Sequence, residues 1–205
     1  MKFEEFSLSD KVSRAIRDMG FSVPTPIQEK SIPYSLSGRD IIGQAQTGTG
    51  KTLAFGIPMV ERIVPLERAV QAVVLTPTRE LAVQVAKEIE KVGKYRQITV
   101  LPIYGGQPIE KQLGQLRKGV HVVVGTPQRA NVGIAEFPRT FIAEFYHPGV
   151  ALAHWGAHGV PANPGALEFF RIAASGQDAF DGRHIETRLL FAVRAPLPFS
   201  IVPFQ

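Results

Sequence analysis

Gly48, Gly50, Lys51 and Thr52 close the stretch Ile41-Ile42-Gly43-Gln44-Ala45-Gln46-Thr47-Gly48-Thr49-Gly50-Lys51-Thr52, and their types and order fit one chemistry, the holding of a phosphate. The two glycines let the backbone turn tightly and approach an anion. Successive loop N–H groups, from Gln46 through Thr49 and into the helix that Leu53-Ala54-Phe55 begins, then point at a β-phosphate, helped by the helix dipole. Lys51 can reach the β- and γ-phosphates, and the Thr52 hydroxyl can ligate Mg²⁺. The ligand this chemistry selects is a nucleoside triphosphate with its Mg²⁺. Ala45 stands where the generic pattern has its first glycine. The plainer alternative is a Gly/Thr-rich turn with a chance Lys-Thr behind it; the apolar run before and the helical pattern after argue against that.

Positioning such a loop takes a strand before it and a helix after it, and the remaining chain supplies more of both. Residues 7–19 form an amphipathic pattern, with Ser7 or Ser9 as cap, Val12, Ile16 and Met19 at helical spacing, and Gly20 as stop. Phe21 to Pro26 is extended by its prolines. A second helix then opens with Thr25 as cap and Pro26 at its first position. Asp40–Ala45, Gln71–Thr76, Ile98–Tyr104 and His121–Gly125 are apolar strand runs, and 79–93 and 108–117 are helices between them. Continuous apolar strands alternating with helices predict a parallel sheet covered on both faces. Ligands of such sheets sit beyond the carboxyl ends of the strands. The Lys51 loop, Pro77-Thr78-Arg79-Glu80, Gly105-Gly106 and Thr126-Pro127 all fall there.

The chain of 205 residues has ample length for a core, and 44% hydrophobic with 20% charged residues is a globular composition. It has no cysteine, hence no disulfide and no thiolate metal site. No signal peptide or membrane-length apolar run is found, so no membrane partner is expected and a cytoplasmic protein is the default. Charge and composition change near Arg129. Residues 1–129 carry 18 Lys+Arg against 12 Asp+Glu; residues 130–205 carry 5 against 6, without a single lysine. The basic first part admits a polyanionic partner.

Five segments in order now resemble the first RecA-like domain of DEAD-box ATP-dependent RNA helicases: Gly20-Phe21-Ser22-Val23-Pro24-Thr25-Pro26-Ile27-Gln28, Ala45 to Thr52, Pro77-Thr78-Arg79-Glu80-Leu81-Ala82, Gly105-Gly106, and Thr126-Pro127-Gln128-Arg129. Ala45 is itself that family's usual residue. The likeness covers residues 1 to about 129. It implies an α/β fold, a RecA-like P-loop NTPase domain with a parallel sheet flanked by helices, and an atypical or incomplete end over residues 130–205. It implies ATP and Mg²⁺ as cofactors, RNA as partner, and a second RecA-like domain in the intact protein.

The resemblance also assigns residues. Lys51 and Thr52 are catalytic, with Thr52 on the metal. Phe3, Gln28, Gln46, Thr47, Gly48, Thr49 and Gly50 bind the nucleotide with them. Gln28 reads adenine, since a carboxamide offers a donor and an acceptor together; Phe3 stacks on the base, while Phe21 is assigned to the core. Taken alone, Gln28 is an ordinary helix glutamine. Pro77, Thr78, Arg79, Gly105, Gly106, Thr126 and Arg129 contact the RNA backbone, which carries no sequence information. Their plainer roles are a helix cap at Thr78, a turn at Gly105-Gly106, and a solvated first helical turn at Arg79-Glu80.

Two departures stand against the resemblance. Gln128 replaces the usual glycine, and a side chain there crowds an approaching backbone. Residues 130–205 contain neither Asp-Glu-Ala-Asp nor Ser-Ala-Thr. Phe141-Ile142-Ala143-Glu144 has an apolar lead-in with one acid, and Leu189 to Arg194 echoes the lead-in to Ser-Ala-Thr. His147, His154 and His158 are read as surface loop residues, and residues 165–174 carry some helical pattern. The expectation is a nucleotide-binding half with weak ATP/Mg²⁺ binding, little hydrolysis and little unwinding. The tail is either a diverged domain end or the product of a shifted reading frame near codon 129. Two further readings remain: a non-catalytic RNA- or partner-binding fragment with a vestigial nucleotide site, and a truncated product that does not fold stably.

Overall fold

A computed structural model describes residues 1–39, 41–126, 141–146 and 188–194. Five α-helices and six strands follow one another among the described residues: α1 Asp10–Asp18, α2 Pro26–Leu36, β1 Ile41–Gln46, α3 Lys51–Arg62, β2 Ala72–Leu75, α4 Arg79–Gly93, β3 Val100–Ile103, α5 Ile109–Leu116, β4 Val122–Gly125, β5 Phe141–Tyr146 and β6 Arg188–Arg194. They build one sheet in the order β1-β6-β5-β2-β4-β3.

The pleat explains why the central strands are apolar throughout. Alternate residues face opposite sides. Ala72, Val74, Val122 and Val124 belong to the core that contains α3 and α4, while Val73, Leu75 and Val123 meet Leu101, Ile103 and Leu116 on the other side. Covered on both faces, the strands have no position left for a polar residue. The α3 helix is the centre of the larger core: Ala54, Phe55, Ile57, Met59 and Val60 are fully buried. Around it the chain is fastened by Arg96, whose guanidinium pairs with Glu61 at 2.8 Å and donates to the Ile63 carbonyl at 2.8 Å. Glu61 also accepts the backbone N–H of Ser9 at 2.7 Å and its hydroxyl at 3.0 Å. Ser9 therefore sits at the start of α1 with its side chain committed to α3 rather than to capping.

Strands β5, β2, β4 and β3 run parallel, as expected for helical crossovers. The exception is β6, which runs antiparallel to both β1 and β5. The two echoes seen in the tail sequence are these two strands. Glu144 of β5 stands level with Leu75, the last residue of β2, and Arg188 of β6 stands level with Gln46, the last of β1. Residues 127–140, with Pro127, Gln128 and Arg129, lie outside the described residues, as do Asp40, the three tail histidines and the 165–174 pattern.

Candidate nucleotide and RNA site

The loop between β1 and α3 is held by the segment before α2. Gly50 takes φ +78 and Gly48 φ +80, the left-handed region where a Cβ is costly. Gly50 has a second reason to be glycine: a Cβ there would lie 2.2 Å from Gln28 Nε2. That closeness reflects a bond, because Gln28 Nε2 donates to the Gly50 carbonyl at 2.9 Å. The same carboxamide accepts the Thr25 N–H through Oε1 at 2.9 Å. Thr25 in turn donates its hydroxyl to the Thr49 carbonyl at 2.8 Å. Pro26 begins α2, which makes Thr25 its N-cap and Gln28 its third residue, and from that helical end both reach the loop. The clasp grips backbone carbonyls and leaves the loop's N–H groups unclaimed by Thr25 and Gln28.

Lys51 is buried, and its Nζ donates to the Ala45 carbonyl at 2.7 Å and to the Gln46 carbonyl. Burial lowers its pKa below the ordinary value, since desolvation disfavours the ammonium. Thr49 donates its hydroxyl to the Gln46 carbonyl at 2.7 Å. A cavity of about 760 Å³ opens beside the loop, lined by Thr47, Gly48, Gly50, Lys51 and Thr52, by Thr25 and Gln28, and by a stripe of α4 that includes Leu81 and Gln84. It has the size of a small-molecule site. Thr52 is among the residues lining this cavity. No group of three or more His, Cys, Asp or Glu capable of holding a metal occurs among the described residues. A divalent ion there would depend on phosphate oxygens and water for its remaining ligands.

Two aromatic side chains lie differently from the sequence expectation. Phe3, expected to stack on a base, is 5% exposed and meets Phe6 edge-on in the core at 5.9 Å between centroids. The short helical turn Phe3–Glu5 points it inward, and it does not line the cavity. Phe21, expected in the core, is 43% exposed and lines the cavity. Gly20, at φ +81, turns the chain after α1 and immediately before Phe21.

The second group of assigned residues gathers at the carboxyl ends of β2, β3 and β4. Pro77, Thr78 and Arg79 are exposed there. Thr78 caps α4, its hydroxyl accepting the Leu81 N–H at 3.2 Å. Gly106 takes φ +86, and a Cβ on it would lie 2.5 Å from Arg79 Nη1, so the guanidinium rests against the Gly105-Gly106 turn. Thr126 is buried, with its N–H donating to the Ile103 carbonyl at 3.2 Å. Its hydroxyl is therefore less open than the sequence expectation of an RNA contact requires. Two further residues of these sites lacked a role in the sequence reading. The sequence shows Thr25 only as a cap, and it gives Gln112 no role within the helix predicted over 108–117.

The family model described as DEAD/DEAH box helicase matches residues 25–141, more than half of the chain. The DEAD-box ATP-dependent RNA helicase CshA of Geobacillus kaustophilus is 58% identical over 127 residues, which are 62% of this chain and 27% of that protein. Its Bacillus subtilis namesake is 54% identical over 127 residues, 26% of its length. The chain thus spans about a quarter of these relatives. Among solved structures, a DEAD box protein from the hyperthermophile Methanococcus jannaschii superposes with a TM-score of 0.60 at 43% identity, covering 66% of this chain and 37% of that one. Saccharomyces cerevisiae Dbp5 bound to RNA and ADP BeF3 gives 0.56 at 33% identity, over 63% of this chain and 33% of that one.

Proposed function

The chain belongs to the DEAD/DEAH box helicase family, and from that premise we propose that it is the ATP- and RNA-binding first domain of an ATP-dependent RNA helicase. The observation that carries the proposal is the clasp: Gln28 and Thr25 bind the Gly50 and Thr49 carbonyls of the phosphate loop, while Phe21, Gln28, Lys51 and Thr52 line one cavity. The triphosphate takes the N–H groups of residues 46–52. Lys51 leaves the Ala45 and Gln46 carbonyls for the β- and γ-phosphates, exchanging two neutral acceptors for anionic ones. Phe21 supplies a ring for the base and Gln28 a carboxamide at its edge. Bound Mg²⁺ supplies positive charge to the phosphates, and the Thr52 hydroxyl is the oxygen this chain offers it.

RNA lies across the carboxyl ends of β2 to β4. Thr78, the α4 N-terminus, Arg79 and the Gly105-Gly106 backbone meet phosphate and sugar, with Pro77 and Thr126 beside them; Arg129 is assigned to the same contact by the family resemblance alone. Such contacts ignore sequence. Opening of a duplex needs a second RecA-like domain, which belongs to the intact protein. Hydrolysis by this chain is slight, because the carboxylates that orient the attacking water in the family have no counterpart motif in residues 130–205. The test is phosphate release from ATP/Mg²⁺ with and without single-stranded RNA, beside direct binding of both ligands. Binding of each with turnover at background level is expected. RNA-stimulated turnover that disappears in Lys51→Ala contradicts the proposal.

A further inference from the structure

Gln112 is 6% exposed, on the face of α5 that packs toward β3. Its Nε2 donates to the Tyr104 carbonyl at 3.0 Å. Tyr104 is the last residue before the Gly105-Gly106 turn. That bond fixes the orientation of the carboxamide, because a carbonyl can only be met by the NH₂ end. Oε1 is then turned away, buried and without a hydrogen-bond partner among the described residues. A buried carbonyl left unpaired is unfavourable, and an apolar side chain of the same length would avoid it. Helix packing alone therefore does not account for a glutamine here. The one thing this side chain does that methionine or leucine cannot do is hold the Tyr104 carbonyl. The Arg79 guanidinium lies against Gly106 of the same turn.

We infer that Gln112 is a positioning residue for RNA contact: it fixes the Tyr104 end of the Gly105-Gly106 turn, so that the turn meets the RNA backbone already formed. The inference rests on the RNA surface proposed above. Gln112 touches no RNA itself. A turn of two glycines loses more conformational freedom on ordering than any other pair, and the Gln112 bond meets that loss before the ligand arrives.

The experiment compares the 205-residue chain with Gln112→Met and Gln112→Glu. Four properties are read: melting temperature, ATP/Mg²⁺ affinity, amide hydrogen exchange over residues 104–108, and affinity for single-stranded RNA. Gln112→Met is expected to keep or raise the melting temperature and leave ATP affinity unchanged. It is expected to speed exchange at Gly105, Gly106 and Gln107, and to weaken RNA binding about three- to tenfold, the factor one hydrogen bond carries. Gln112→Glu keeps the length but offers no donor when ionised, and is expected to speed the same amides. Unchanged exchange over 104–108 in both variants overturns the inference. So does a fall in melting temperature with faster exchange spread through α5 and β3, which marks a packing role. If the unsubstituted chain binds no RNA, the RNA surface falls, and the exchange data still decide whether Gln112 sets the turn.

Discussion

Replacing Gln28 tests the clasp on the phosphate loop. Gln28 is 2% exposed and makes two hydrogen bonds of 2.9 Å, one to Thr25 and one to Gly50. Gln28→Ala removes both and leaves a part-buried N–H and a carbonyl without partners. At about 1 kcal/mol for each bond, with some added cost for the stranded groups, the loss is about 2–3 kcal/mol. For a chain of this size that is a fall of roughly 5–10 °C in melting temperature. Gln28→Glu separates the two arms. Its carboxylate still accepts the Thr25 N–H, in the first turn of α2 where negative charge is favoured. It cannot donate to Gly50, and it faces the bound phosphates with like charge. Gln28→Glu is therefore expected to lose less stability than Gln28→Ala and at least as much ATP affinity. Differential scanning fluorimetry and titration with a fluorescent ATP analogue read the two quantities on the same samples. ATP affinity within twofold of the unsubstituted chain in both variants refutes the reasoning, since the clasp would then be a helix cap and nothing more.

Other outcomes follow from the same contacts. Burial holds the Lys51 pKa below its ordinary 10.5, so the unfolded chain keeps this proton to higher pH than the folded one. Stability is then expected to rise with pH between the folded pKa and 10.5, while ATP affinity, which needs the ammonium, falls over the same window; Lys51→Met is expected to show neither trend. Arg96 and Glu61 are mostly buried at 2.8 Å, and Arg96→Met is expected to cost about 3 kcal/mol, seen as a fall of roughly 6–12 °C in calorimetry. Gly106→Ala meets both φ +86 and Arg79; it is expected to cost about 1–2 kcal/mol and to weaken RNA binding in filter assays while ATP titration stays unchanged.

The helix over 79–93 is legible from Leu81, Val85 and Ile89, because one apolar stripe and a capping threonine describe a helix with one buried side. The α3 helix is visible only at its first turn. Residues 53–60 are buried throughout, so no polar face sets off an apolar stripe along its middle. The loop chemistry of Gly48 to Thr52 reads directly from residue types, since backbone N–H groups and a lysine need little context. The positions of Phe3 and Phe21 do not read, because the short turn Phe3–Glu5 buries one ring and the other follows the left-handed Gly20, and neither local geometry shows in an apolar pattern. Nor does the direction of β6: Leu189 to Val193 are apolar whichever way the strand runs, and only pairing with β1 and β5 shows it antiparallel. Gln112 carries the signal of a polar residue on an apolar stripe, yet its partner is a backbone carbonyl eight residues away, which no side-chain pattern reveals.

The most direct measurement is calorimetric titration of ATP with Mg²⁺ into the 205-residue chain, with Lys51→Ala titrated in parallel. Saturable binding at one site, lost in Lys51→Ala while the variant's melting temperature holds, is the result expected of a phosphate loop working as described. Absence of ATP binding by the folded chain, or binding of equal strength in Lys51→Ala, contradicts it.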